Sequence, residues 1–221
     1  MIRLKQVMKS YRLSREHTVQ ALHEIDLEIK TGEFVSIVGP SGSGKSTFLA
    51  LVGLLDRPSE GKMWFAGQDV TDLSDRARTA IRSERCGFIF QFPSLIPTLT
   101  AVENVVLPKT LSGRYAGSAD LTRGAELLAK VGLADKTDRL PYQLSGGEQR
   151  RVAMARALMN EPEIILADEP TGALDDENAK VMMDVFKTMN QLGKTILMVT
   201  HDQQLTAYAS RTIQIRDGRV V

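Results

Sequence analysis

Four short apolar runs, 34–38 (FVSIV), 87–90 (GFIF), 163–167 (EIILA) and 195–199 (TILMV), are separated by stretches of helical character. Runs of this kind lack the polar alternation of a sheet with one wet face. They predict strands buried on both sides, which is the condition of a parallel sheet covered by helices. The chain is therefore expected to build a layered α/β fold. Residues 22–29 differ: Leu22, Ile25, Leu27 and Ile29 fall largely on one face, which predicts a half-exposed antiparallel strand. The last segment alternates Ile213 and Ile215, then turns at Asp217-Gly218 toward Val220, which predicts a hairpin.

Helices are expected between these runs, over 46–55, 119–131, 145–159 and 176–192. The second carries Leu121, Ala125, Leu128 and Val131 at helical spacing and stops at Gly132. The third opens with Ser145-Gly-Gly-Glu148, a capping-box pattern. The fourth carries Ala179, Met182, Phe186 and Met189 as one stripe, read as core packing. The middle, about 92–158, shows helical signals and no strand candidate. It predicts a helical subdomain inserted into the parallel core of a single domain, 1–221.

Composition removes several function classes. The 28 Lys and Arg against 27 Asp and Glu leave a net charge of +1, so no nucleic-acid partner is expected. The single cysteine, Cys86, excludes an intrachain disulfide and suits a reducing compartment. No run approaches the ~20 apolar residues of a membrane span. The first residues, MIRLKQVMKSY, hold no signal-like stretch. Any action at a membrane is therefore expected through a partner.

Gly39-Pro-Ser41-Gly42-Ser-Gly44-Lys45-Ser46 matches G-x-x-x-x-G-K-[ST] between an expected strand and an expected helix. Its glycines let the backbone wrap, so that N–H groups and the helix N-terminus cradle phosphate oxygens. Lys45 would place a point charge on the β- and γ-phosphates. Ser46 can ligate Mg²⁺, and Thr47 can reach the α-phosphate. Residues 164–169 (IILADE) are an apolar strand ending in two acids. Acids there lie at the carboxyl edge of the sheet, where open α/β folds bind ligands. Asp168 would sit in the Mg²⁺ shell and Glu169 would act as general base toward water.

Leu144-Ser145-Gly146-Gly147-Glu148, continuing QRRVAMARAL, resembles the signature of ATP-binding cassette (ABC) proteins. Adjacent glycines before a helix expose N–H groups to an anion. The resemblance implies that this anion is the γ-phosphate of ATP held by a second subunit. Ser145 and Gly147 would then act across a homodimer, with Mg-ATP as the bound species. The resemblance extends over the whole chain and implies further roles. Tyr11 would stack on adenine. Gln91 would contact Mg²⁺ and water and sense the γ-phosphate. Asp175, in Gly172-Ala-Leu-Asp175, would reach across the dimer. His201 would hydrogen-bond the γ-phosphate. Gly172 stands where the family more usually has serine, and Glu148 where it more usually has glutamine.

The implied fold is a P-loop NTPase with a RecA-like parallel core, an antiparallel β subdomain and the helical insertion. The implied activity is ATP hydrolysis that drives a separate integral-membrane permease. Its phosphate loop, Phe88-Ile-Phe-Gln91, the run Ala167-Asp-Glu-Pro-Thr-Gly-Ala-Leu-Asp175 and Thr200-His-Asp202 resemble the lipoprotein-releasing, macrolide-exporting and haem-exporting subgroup. It would work in the cytoplasm, peripheral on the cytoplasmic face of the membrane. A non-transport ATPase, in cell-division signalling or soluble assembly, is the alternative. No regulatory domain of the kind that follows the cassette in sugar-importer ATPases is expected after position 221. One stretch stays open: Phe92–Thr100 either folds into the helical segment's own core or walls a groove for a permease helix.

Overall fold

The computed structural model describes residues 1–14, 17–111, 117–172 and 174–221. The strands are β1 (Ile2–Arg12), β2 (Thr18–Ile29), β3 (Phe34–Val38), β4 (Glu60–Phe65), β5 (Gln68–Asp69), β6 (Cys86–Ile89), β7 (Ile164–Asp168), β8 (Thr195–Val199), β9 (Arg211–Arg216) and β10 (Arg219–Val220). The helices are α1 (Lys45–Val52), α2 (Asp75–Arg85), α3 (Ala101–Leu111), α4 (Ser118–Lys130), α5 (Gly146–Leu158) and α6 (Asp176–Gln191).

A six-stranded sheet runs in the order β10-β9-β3-β8-β7-β6, and a four-stranded one in the order β2-β1-β4-β5. In the first, β9, β3, β8, β7 and β6 are mutually parallel, and β10 closes the expected hairpin with β9. The second is antiparallel.

Each central strand is buried on both faces because alternate residues enter different cores. On β7, Ile165 and Ala167 join a cluster with α3, α4, α5 and α6. Ile164 and Leu166 join a second cluster with α1 and the antiparallel sheet. The parallel sheet is thus the middle layer, and its strands need apolar residues at consecutive positions. Between 92 and 158 the described residues hold helices and no strand.

Three expectations shift. The helix after the glycine loop ends at Val52 rather than 55. The buried face of α4 is Gly124, Leu127 and Leu128, continued by Val131, whereas Leu121 is exposed. Gly124 is buried because a Cβ there would come within 2.9 Å of Val106 and 3.0 Å of Val102 on α3. The strands β1 and β4 and the helix α2 enlarge the fold beyond what was read from the sequence.

Candidate functional site

The phosphate-type loop follows β3, Gln91 stands two residues past β6, Asp168 ends β7, and His201 stands two residues past β8. Those four strands are neighbours and parallel. Their carboxyl ends therefore converge on one sheet edge. There Ser41, Gly42, Gly44, Lys45, Ser46, Thr47, Gln91, Asp168, Glu169 and His201 line a cleft of about 620 Å³, completed by β2 and the turn at Asp217-Gly218.

The loop's shape has local causes. Gly44 caps α1 at φ 104, a conformation that side chains other than glycine's resist. A Cβ at Gly39 would fall 2.0 Å from the Ile215 carbonyl oxygen, so the loop lies directly on β9. Lys45 Nζ donates to the carbonyls of Gly39 (2.9 Å) and Pro40 (2.8 Å), which fixes the ammonium across the loop's mouth.

Ser46 Oγ donates to Asp168 Oδ2 at 3.0 Å. Burial raises the Asp168 carboxyl above its ordinary value; the Ser46 hydrogen bond opposes this, and the Glu169 charge adds to it. Glu169 has φ 47, unusual for a non-glycine residue. Its backbone is fixed there by bonds from its N–H to the Val199 oxygen (2.9 Å) and from the Gly172 N–H to its own oxygen (3.1 Å). His201 Nδ1 lies 2.8 Å from Glu169 Oε2.

Tyr11, Gly39, Ser145, Gly147 and Asp175 do not line this cleft. Gly39 lies against β9. Tyr11 pairs across the strands with Val19, which does line the cleft, and so stands at its rim. Ser145 caps α5: its Oγ accepts from the Glu148 N–H (3.2 Å), and its N–H donates to Glu148 Oε2 (2.7 Å). The expected capping box is thus formed, and glutamate at 148 serves it well. Asp175 caps α6, accepting from the Asn178 N–H at 2.8 Å. Ala173, within the Gly172–Asp175 motif, lies outside the described residues.

Several contacts were not read from the sequence. The Asn178 amide donates to both Asp175 carboxylate oxygens, at 2.8 and 2.9 Å. It also packs against Gly147, where a Cβ would come within 3.0 Å of it. Arg156 on α5 donates to the carbonyls of Pro93 (2.7 Å) and Ser94 (2.9 Å), and Arg150 donates to that of Gln91 (3.4 Å). The signature helix thereby grips the backbone that carries Gln91. Buried Asn104 accepts from the Ile96 N–H (2.7 Å) and donates to the Ile96, Leu99 and Thr100 carbonyls, pinning this loop from the other end.

Comparison with known proteins agrees with this architecture. Residues 22–172 match the family described as ABC transporter. The chain is 48% identical over 218 residues, 99% of its length and 93% of the relative's, to the lipoprotein-releasing system ATP-binding protein LolD of Aquifex aeolicus. It is 47% identical over 221 residues to the macrolide export ATP-binding/permease protein MacB of Nitrosomonas europaea, of which it spans 33%. A dimeric structure of the ATP-binding cassette MJ0796 in a post-hydrolysis state, bound to ADP and Pi, superposes with a TM-score of 0.92. That match has 46% identity and covers 100% of this chain and 96% of the other. The sheet order, the cleft at its carboxyl edge and these likenesses have one conclusion: the chain belongs to the ABC transporter family, as an ATP-binding and ATP-hydrolysing cassette.

Proposed function

We propose that two copies of the chain sandwich two Mg-ATP molecules and drive an export-type membrane permease from the cytoplasmic face. The observation that supports this most directly is the division of the motif residues. Those at the strand ends share one cleft, while Ser145, Gly147 and Asp175 stand outside it with their helix N-termini unengaged by it. In a head-to-tail pair, each cleft would be completed by the partner's signature. The names of the relatives, lipoprotein-releasing and macrolide export, support the transport reading.

Each residue then has a task. The loop N–H groups and Lys45 would hold the β- and γ-phosphates. Among the described residues no group of three His, Cys, Asp or Glu side chains converges as a metal cage. A hydroxyl and a carboxylate in contact, Ser46 and Asp168, with Gln91 lining the same cleft, fit Mg²⁺, which takes few protein ligands beside phosphates and water. Bound there, Mg²⁺ would neutralise charge developing on the phosphate oxygens. Glu169 would accept a proton from the attacking water as its oxygen bonds to the γ-phosphorus and the bond to ADP breaks. His201, held through Nδ1 by Glu169, offers Nε2 to the γ-phosphate.

Tyr11 would stack on adenine. A stacked face contributes ~0.5–1.5 kcal/mol, so Tyr11→Ala is expected to weaken ATP binding by up to about tenfold. Discrimination between ATP and GTP should be modest, because stacking reads no base edge. Equilibrium titration checks both; a several-thousandfold preference for ATP would demand a base-edge contact instead.

The permease would dock beside the helical subdomain. Leu95 packs against the helical core, whereas Phe92 and Ile96 in the same stretch are exposed. A wider apolar surface lies beyond it. Leu55, Phe88, Phe90, Leu107, Pro108 and Leu111 line a groove of about 700 Å³ with basic side chains at its edge. Phe88 and Phe90 stack in parallel at 5.6 Å. An apolar groove with open sides suits the apolar face of an amphipathic helix of a separate subunit, and among the described residues no helix is long and apolar enough to cross a membrane. Leu111, 77% exposed, is the residue to charge. Leu111→Glu should leave melting temperature and isolated ATPase unchanged while weakening co-purification with the permease. Undiminished capture by the permease would place the interface elsewhere; failure of the unaltered chain to co-purify with any permease would favour a non-transport ATPase.

A further inference from the structure

Behind Tyr11 lies a charged network that the phosphate chemistry does not use. Lys9 and Tyr11 stand two apart on β1 and so share a face. The Tyr11 hydroxyl donates to Asp56 Oδ2 at 2.9 Å. Lys9 Nζ donates to Asp56 Oδ1 at 2.7 Å and to the Arg57 carbonyl at 2.9 Å. The same ammonium stands 4.8 Å from the centroid of the Tyr11 ring. Lys9 is only 9% exposed, a burial lysine tolerates only when paired.

Asp56 is itself fixed. Its N–H donates to the Ala50 carbonyl at 3.2 Å, which ties it to α1. Its Oδ1 also accepts from the Arg57 N–H at 2.7 Å. Burial works against its charge, yet the Lys9, Arg57 and Tyr11 hydrogen bonds hold its carboxyl below the ordinary range. Burial, then the Asp56 bond, push the Tyr11 phenol upward, so it remains a donor. Thr47, which lines the phosphate cleft, opposes that upward shift.

We propose that Lys9 and Asp56 are positioning residues for the nucleotide base: they lock the Tyr11 ring at the rim of the cleft and leave a single face of it for adenine. The inference rests on the stacking role given to Tyr11 above. An ammonium at this distance occupies one face of the ring by cation–π attraction. The ring is still 37% exposed, so the remaining face is the one a purine can use. Its hydroxyl is tied to α1 through Asp56, and α1 begins at the phosphate loop, so base and phosphates are gripped by one rigid unit. A ring already fixed loses little rotamer freedom when a base stacks on it, whereas an untethered ring loses about 0.5–1.5 kcal/mol.

The test is calorimetric titration of Asp56→Asn, Lys9→Met and Tyr11→Phe with two probes, ATP and inorganic tripolyphosphate, and of the first two variants again in a Tyr11→Ala background. Tyr11→Phe keeps the ring and removes the hydroxyl that bonds Asp56, so it stays informative if Lys9→Met folds poorly. Each variant should weaken ATP by about 2- to 10-fold, within one side chain's ordering cost and no more than loss of the ring itself. Tripolyphosphate affinity should not change, and in steady-state hydrolysis the effect should fall on KM rather than kcat. In the Tyr11→Ala background Asp56→Asn and Lys9→Met should have no further effect, the signature of action through that ring. Equal losses for ATP and tripolyphosphate, unchanged ATP affinity, or an undiminished effect without Tyr11 would each overturn the proposal. If Tyr11→Ala alone leaves ATP affinity intact, the stacking role itself fails, a result distinct from failure of the network alone.

Discussion

Glu169→Gln is expected to lower ATP hydrolysis by ~10²–10⁴ while ATP binding persists, because it removes the proposed general base and keeps the side chain's size. Glutamine matches glutamate in size and can still meet His201, which lies 2.8 Å from the carboxylate. The unusual backbone at φ 47 should survive, since the bonds that hold it run from main chain to main chain. The substitution also removes a negative charge from a cleft that is proposed to receive a triphosphate. Both changes favour a lasting ATP-bound pair of subunits, visible as a dimer by size exclusion with ATP and a monomer without it. Hydrolysis at the wild-type rate would remove Glu169 from the role of base. Asp168→Asn makes the contrast: Asp168 is bonded to Ser46, and its loss should impair Mg²⁺-dependent nucleotide binding itself.

What the sequence made legible, and what it hid, follows from the range of the interactions. The parallel strands were readable because burial on both faces requires consecutive apolar residues, and FVSIV or TILMV states this locally. Strand β1 was not, because Gln6 at φ 51 and a register shift between Leu4 and Val7 break its alternation. The same effect in β2, with Glu24 at φ 40, explains how Leu22 and Ile25 are both buried despite their odd spacing. Helix α2 has no apolar stripe. The residue it buries is Arg78, whose guanidinium pairs with Asp75 through Nη2. Asn104, fully buried in α3, works through hydrogen bonds that hydropathy does not see.

The site divides in the same way. Residues at the ends of strands were found because loop, acid pair, glutamine and histidine each follow an apolar run directly. The side chains that hold them in place come from distant segments: Arg156 to the Pro93 carbonyl, Asn178 to Gly147, Asp56 to Tyr11. No spacing rule along the chain predicts such pairs. They depend on distant segments meeting at one register, which only the packed structure specifies.

Ser145→Arg carries the second large effect, and it tests the pairing of subunits rather than the chemistry. Ser145 caps α5 and lies outside the cleft of its own chain. In the proposed sandwich its hydroxyl and the following N–H groups meet the γ-phosphate bound by the partner. An arginine there would fill that space and prevent closure, so hydrolysis should be abolished. Nucleotide affinity of the monomer should be unchanged, since nothing in its own cleft is altered. The lost cap costs about 1 kcal/mol, so Ser145→Ala serves as the control that loses the cap without adding bulk. A mixture of Ser145→Arg with Lys45→Ala subunits is the decisive case. Each mixed dimer would contain one site with an intact loop from one chain and an intact signature from the other. Its opposite site would carry both defects. Activity that neither parent shows alone should therefore return on mixing, as measured by phosphate release. Loss of monomer nucleotide affinity in Ser145→Arg would place the signature in its own chain's site, and the head-to-tail arrangement would fall.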